Sequence, residues 1–153
     1  MHTPGTIYAI DFDGTVVTHE FPKVGKDVPY AVETLQKIVA HGGKLILWTM
    51  RSNHTAPPEF TGDQQHERNP IIECEPDNYL DHAIKWFSDR EIPLWGIQTN
   101  PDQGSWTSSP KAYAHVYIDD AALGSHTVHD ETFASRPYVD WTFVDAVLFP
   151  EEN

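Results

Sequence analysis

Cysteine, positive charge and long apolar runs are all scarce in this chain, and each scarcity excludes a class of protein. A single cysteine, Cys74, cannot form an internal disulfide, so a reducing compartment is expected. No stretch approaches the ~18 consecutive apolar residues of a membrane span. The first residues also lack the positively charged and then apolar order of a signal peptide. The sequence therefore predicts a soluble, cytoplasmic protein without membrane contact.

Basic residues are few: 10 lysines and arginines stand against 23 aspartates and glutamates, for a formal net charge of −13. This balance argues against extended contact with the phosphate backbone of nucleic acid. A small anionic substrate remains compatible with it, provided that a bound divalent cation and a lysine compensate the charge locally. Oligomerisation is left open.

The pattern of apolar residues indicates one α/β domain. A length of 153 residues suffices for a single hydrophobic core and leaves no room for a second domain. Apolar strand-like runs alternate with segments of helical periodicity, which predicts a three-layer Rossmann-like sandwich around a mainly parallel sheet. Strands are predicted at 6–10, 44–49, 94–98 and 115–118, and helices at 29–41, from 77, from 109 and from 140.

Two segments depart from this alternation. Residues 16–25 are predicted to form a short hairpin or flap after the first strand. The segment at about 52–76 has no clear period and is predicted to be an irregular insertion, with a short strand at 70–74. Such an insertion is either a lid over a functional site or a disordered loop.

Polar residues follow the predicted strands at their carboxyl ends. The first strand ends in Asp11 with Asp13 two positions later, the second in Thr49, and the fourth in Asp119-Asp120. The carboxyl ends of parallel strands meet at one edge of the sheet, where α/β proteins bind ligands. These side chains are therefore expected to converge. The Asp-x-Asp spacing also lets a side chain and a neighbouring carbonyl meet at a hard cation.

Lys111 is expected just before the fourth strand. Ser109-Pro110-Lys111 has the serine cap and first-turn proline of a short helix. Each candidate also has a plainer interpretation: Thr49 as a strand-end cap, Lys111 as a solvated charge and Asp119-Asp120 as a turn. Their joint occurrence at corresponding strand boundaries favours a shared site.

Taken in this order, the four motifs resemble those of the haloacid dehalogenase (HAD) superfamily. Asp11-Phe-Asp13-Gly14-Thr15 is similar to motif I, Thr49 to motif II, Lys111 to motif III and Asp119-Asp120 to motif IV. The resemblance covers roughly residues 7–120, and the short segments at both usual insertion points imply a member with no separate cap domain. Receiver domains also place Asp, Thr and Lys on a parallel sheet, but their phosphate-accepting Asp ends the third strand.

The resemblance implies Mg²⁺-dependent phosphatase chemistry. Asp11 would attack phosphorus to form an aspartyl phosphate, and Asp13 would protonate the leaving oxygen and then activate water. Thr49 would bind a phosphoryl oxygen, and Lys111 would neutralise charge on it and on the nucleophile. Mg²⁺ would bind Asp11, the backbone carbonyl of Asp13, and Asp119 or Asp120. Asp119 is favoured as the direct ligand, with Asp120 acting through water.

The second acid narrows the reaction class. Dehalogenases of this superfamily lack an Asp two positions after the nucleophile, so Asp13 indicates phosphate ester chemistry on a small phosphorylated substrate such as a nucleotide or sugar phosphate. Arg51 is expected to bind an anionic or planar group of the substrate. Trp106 is expected to stack on a base or a sugar. Only seven residues separate Lys111 from Asp119, which leaves Lys85 as an alternative for motif III. A phosphotransferase and a non-catalytic domain that binds a phosphorylated ligand or a protein also remain open.

Overall fold

A parallel four-stranded sheet forms the centre of the protein. The computed structural model describes residues 1–54 and 74–152. The strands are β1 (Ile7–Ile10), β2 (Lys44–Leu47), β3 (Gly96–Ile97) and β4 (Val116–Ile118), in the spatial order β3-β2-β1-β4. Ile10 lies opposite Leu47 on one side and Ile118 on the other, so β1, β2 and β4 end at the same level. The predicted Rossmann-like α/β fold with a mainly parallel sheet is confirmed.

In the part of the chain that the structure describes, three helices pack their buried sides into one core. They are α1 (Ala31–Ala40), α2 (Tyr79–Asp89) and α3 (Trp141–Leu148). Alternate residues of the two central strands, β1 and β2, face this core: Tyr8, Ile10, Leu45 and Leu47. This alternation is the period of two that a pleated strand imposes. Each helix contributes one apolar side, with residues that include Leu35, Ile84, Phe87 and Trp141.

The second face of the sheet is covered by irregular chain. Ile46 packs there against Trp95 and Ala112. Ala112 belongs to the segment 98–113, which includes a single 3-10 turn, Gln103–Ser105. The predicted helix from Ser109 is wrong. The Gln103 side chain bonds the backbone of Ser109, Lys111 and Tyr113, and these bonds compete with the hydrogen bonds that a helix would need.

Other local predictions have mixed outcomes. The Asp140 carboxylate accepts hydrogen bonds from the backbone of Thr142 and Phe143, which confirms the helix that was expected from Asp140. An antiparallel pair, β5 (Thr127–Val128) and β6 (Tyr138–Val139), was not predicted. Most of the expected insertion at 52–76, with nearly all of its strand at 70–74, lies outside the described residues. Within the described ranges, no helix has the length and apolar character needed to cross a membrane.

The short hairpin after β1 has the predicted form and is called the flap (residues 16–28). Val17 bridges to Asp27 in antiparallel fashion, and the backbone N–H of Thr18 donates to the carbonyl of Lys26 at 2.9 Å. At the start of the flap, the buried indole of Trp141 donates to the carbonyl of Thr15 at 2.7 Å. This bond ties α3 to the loop that follows the central strand.

Trp141→Phe is expected to lower the free energy of unfolding by about 1–3 kcal/mol, because it leaves the buried Thr15 carbonyl without its donor. The matched control is Val147→Ala on the same helix, where the side chain is 47 % exposed and the change is expected to stay within about 0.5 kcal/mol. Urea denaturation measures both. A Trp141→Phe protein as stable as the wild type would contradict the importance of this bond.

Candidate active site

Three carboxylates meet at the carboxyl ends of β1 and β4. Asp11, Asp119 and Asp120 each offer one oxygen, and these oxygens all lie within 4.8 Å of one another. The strand pairing produces this cluster: Asp11 follows β1, the two other acids follow β4, and the N–H of Asp11 donates to the carbonyl of Ile118 at 3.0 Å. The structure thus brings these three predicted site residues together.

Each carboxylate of this acidic cluster has a hydrogen-bond partner outside the cluster. The Thr15 hydroxyl donates to Asp11 Oδ2 at 2.8 Å, and the backbone N–H of Ala121 donates to Asp119 Oδ1 at 2.8 Å. Nε2 of His19 lies 2.7 Å from Oδ2 of Asp120. The cluster is therefore held in place although its members repel one another.

Burial is the main cause that raises the pKa of Asp11 to about 8, and the neighbouring Asp119 and Asp120 raise it further against the opposing hydrogen bond from Thr15. A divalent cation among these oxygens would favour the ionised form of Asp11.

Asp13 is held by a buried arginine. Arg51 is 2 % exposed, and its Nε and Nη2 donate to the two oxygens of Asp13 at 2.8 Å each. The remaining guanidinium hydrogens reach the carbonyls of Pro22 and Lys23 in the flap and of Tyr79 in α2. All five donors of Arg51 have acceptors. In this structure Arg51 binds Asp13, and its expected contact with substrate stays a prediction.

Thr49 lies at the end of β2, as expected, and a residue that the sequence analysis missed holds it. The side-chain amide of Gln98 accepts from the N–H of Thr49 at 2.9 Å and donates to the carbonyls of Thr49 and Arg51 at 2.6 and 3.1 Å. Gln98 has a positive φ of 59°, which is uncommon for a residue other than glycine. As a polar residue at the end of the third strand, Gln98 carried the same signal that selected Thr49.

The lysines expected for motif III lie elsewhere. Lys111 is exposed, and its ammonium lies 5.6 Å from the centre of the Tyr117 ring. Lys85 pairs with Asp89 of its own helix at 2.8 Å. Among residues 1–54 and 74–152, no ion pair joins either lysine to the acidic cluster. Trp106 is 63 % exposed and meets Tyr113 edge to face.

Gly14 makes room for the contact between His19 and Asp120. Its φ of 82° lies in the left-handed region, and a Cβ atom at this position would overlap Nε2 of His19 and Oδ2 of Asp120. The sequence analysis missed His19, because nothing in the local pattern distinguishes it from a surface histidine.

Comparisons with known proteins support the fold. Neither the protein-family models nor the curated proteins contain a match to this chain. A solved structure, described as a conserved protein from Bacteroides thetaiotaomicron, is 25 % identical and superposes with a TM-score of 0.64. The alignment covers 97 % of this chain and 93 % of that one. The description of that protein names no activity.

In the presence of a chelator, the titration of Asp11 is expected to lower the free energy of unfolding as the pH rises from about 4 to 8. The folded protein keeps the Asp11 proton up to a pKa of about 8, whereas the unfolded chain loses it near ~3.9. Between these two pKa values, the folded state therefore binds more protons than the unfolded state. The stabilisation that Asp11 contributes is fully present below the unfolded pKa and is lost as the pH rises to the folded pKa.

Asp11→Asn removes this titration and serves as the reference. The free energy of unfolding of the wild type, measured by urea denaturation relative to that of Asp11→Asn, is expected to decrease between pH 5 and pH 8. Parallel pH profiles for the two proteins would contradict the raised pKa of Asp11.

Gly14→Ala is expected to destabilise the protein more than Gly124→Ala. Both glycines have a positive φ, 82° and 86°, so both variants carry the backbone cost of about 1–2 kcal/mol. A methyl group at Gly124 meets open space, whereas at Gly14 it overlaps two side chains of the site. Chemical denaturation compares the two variants, and equal losses would show that the space above Gly14 is not needed.

Proposed function

We propose that this protein is a Mg²⁺-dependent phosphomonoester hydrolase of the HAD type that acts through an aspartyl phosphate on Asp11. The observation that carries the proposal is the placement of Asp11 at the end of the central parallel strand, within 4.8 Å of Asp119 and Asp120. A second acid, Asp13, follows two positions later. A nucleophilic carboxylate beside a cation site and a proton donor is what stepwise phosphoryl transfer requires.

The acidic cluster fits Mg²⁺. Its three carboxylates offer the hard oxygen ligands that this cation prefers. Burial, and to a smaller extent the neighbouring Asp119 and Asp120, raises the pKa of Asp11, and a divalent cation would favour its ionised form. Asp11, Asp119 and Asp120 would hold the ion, with the Asp13 carbonyl as the further ligand that the resemblance implies. When bound, Mg²⁺ supplies charge stabilisation for the phosphoryl oxygens.

Asp11 and Thr15 act together in the first step. The Thr15 hydroxyl holds Oδ2 of Asp11 at 2.8 Å and so orients the carboxylate. The ionised carboxylate attacks phosphorus as the ester P–O bond breaks, and water later attacks the phosphorus of the aspartyl phosphate, which releases phosphate and regenerates Asp11. Thr49, at the neighbouring strand end, is the proposed hydrogen-bond donor to a phosphoryl oxygen.

Asp13 is the proposed general acid and base, and its pairing with Arg51 sets a condition on that role. Both carboxylate oxygens accept hydrogen bonds from Arg51, so in this arrangement neither offers a proton. To protonate the leaving oxygen, Asp13 must turn away from the guanidinium and take up a proton. Because Arg51 also binds the carbonyls of Pro22 and Lys23, the flap and Asp13 share one partner.

The substrate proposed is a small phosphorylated molecule in the cytoplasm, with nucleotides and sugar phosphates as the classes to test. The exposed indole of Trp106 is available for stacking on a base or a sugar. Lys111 keeps its proposed role in neutralising the phosphoryl group, although no contact in the described residues supports that role.

A non-catalytic domain that binds a phosphorylated ligand is the second candidate. The observation that favours it is the bidentate pair of Asp13 and Arg51, because a binding domain has no need to free its second acid. A phosphotransferase would use the same acids as the hydrolase and would differ in the group that accepts the phosphoryl.

Hydrolysis of a panel of nucleoside monophosphates and sugar phosphates tests the proposal. The wild type is expected to show Mg²⁺-dependent phosphate release, Asp11→Asn none above background, and Asp13→Asn a rate lower by ~10²- to 10⁴-fold. Asp89→Asn, an exposed position on α2, is the matched control and should keep the wild-type rate.

The outcome also separates the two candidates. Turnover by Asp11→Asn equal to that of the wild type would contradict the nucleophile assignment. Tight Mg²⁺-dependent binding of a panel member by the wild type, with no hydrolysis, would favour the non-catalytic domain.

A further inference from the structure

The flap carries a side chain that reaches the acidic cluster. His19 comes from the turn of the flap, 101 residues from Asp120 in the chain, and its Nε2 lies 2.7 Å from Oδ2 of that carboxylate. Both side chains are largely enclosed, with 19 % and 14 % of their surfaces exposed. A contact between two largely enclosed side chains is better defined than an ion pair on an open surface.

His19 also completes a pattern within the cluster. Asp11 and Asp119 are each oriented by a donor close in the chain, the Thr15 hydroxyl and the Ala121 N–H. Asp120 instead receives its donor from a distant segment. An ionised carboxylate only accepts hydrogen bonds, so His19 is the donor of this contact when Asp120 is ionised. One oxygen of Asp120 is thereby fixed, which sets the direction of the other.

We propose that His19 is a positioning residue for the cation site, and that it holds Asp120 in the orientation in which the acidic cluster binds a divalent metal ion. The inference rests on the proposed function, because it assumes that Asp11, Asp119 and Asp120 are metal ligands or partners of the metal-bound water. Hydrogen bonds to metal-binding groups typically set metal affinity over a ~10- to 100-fold range.

Neither lysine that was expected near this site forms an ion pair with the acidic cluster in the described residues, whereas His19 does contact it. Lys111 lies over the ring of Tyr117, and Lys85 pairs with Asp89. Among the described residues, His19 is the basic side chain that contacts the cluster. Arg51, the guanidinium close to motif I, binds Asp13 instead. The flap thus provides a basic side chain at the acidic cluster, on Asp120, whereas the motif III lysine was expected to neutralise Asp11 and the phosphoryl group.

Mn²⁺ titration followed by electron paramagnetic resonance tests the role of His19 without any assay of activity. His19→Leu is expected to weaken Mn²⁺ binding by ~10- to 100-fold. His19→Gln, which keeps an N–H at the end of the side chain, is expected to recover part of the affinity. His129→Leu is the matched control at an exposed histidine and should bind Mn²⁺ as the wild type does.

A merely structural role predicts a different result. In that case, His19→Leu would lower the free energy of unfolding in the presence of a chelator, but the folded protein would bind Mn²⁺ with an affinity within about twofold of the wild type, outside the range expected for a ligand partner. That result would overturn the inference.

Asp119→Asn separates the failure of this inference from the failure of the proposed function. If the wild type binds Mn²⁺ and Asp119→Asn binds it much more weakly, the metal site stands, and the His19 variants alone decide the inference. If the wild type does not bind Mn²⁺, or Asp119→Asn binds it equally well, both the metal site and the role of His19 are overturned.

Discussion

The crowding of three carboxylates at a partly buried strand end is the constraint on which the rest of this site depends. Parallel pairing of β1 with β4 forces Asp11 beside Asp119 and Asp120, with oxygens within 4.8 Å of one another. Burial and these neighbours raise the pKa of Asp11 to about 8. Without a cation, this arrangement disfavours the ionised form of Asp11. Clusters of residues with strongly perturbed pKa values are often functional sites. Hydrogen bonds from Thr15, Ala121 and His19 hold the three acids in spite of their repulsion.

The second half of the site has the opposite electrostatic character. Asp13 is neutralised by the buried guanidinium of Arg51, which also joins the flap to α2 through three carbonyls. Gln98 in turn fixes the backbone of Thr49 and Arg51. The result is a crowded group of three carboxylates beside a fourth acid, Asp13, that is held in an ion pair. In the proposed function, a metal ion would favour the ionised form of Asp11, and Asp13 would have to leave Arg51 before the reaction.

Much of this arrangement follows from the sequence, because it depends on the ends of regular elements. Apolar runs locate the central strands, and parallel strands end at one edge, so Asp11, Thr49 and Asp119-Asp120 were expected together there. The expectations failed where long-range side-chain contacts decide the structure. Arg51 is buried, and His19 reaches Asp120, because of the way the flap folds back. No local sequence pattern predicts this fold of the flap. Ser109 and Pro110 carry a helix-start signal, but hydrogen bonds from Gln103 to the same backbone override it.

The most direct test of the central claim is the binding of beryllofluoride, a mimic of the phosphoryl group, measured by ¹⁹F nuclear magnetic resonance. The wild type is expected to give a bound fluoride signal that requires Mg²⁺, and Asp11→Asn is expected to give none. If the folded wild type in saturating Mg²⁺ formed no adduct, or if Asp11→Asn formed the same one, Asp11 would not be the residue that accepts a phosphoryl group.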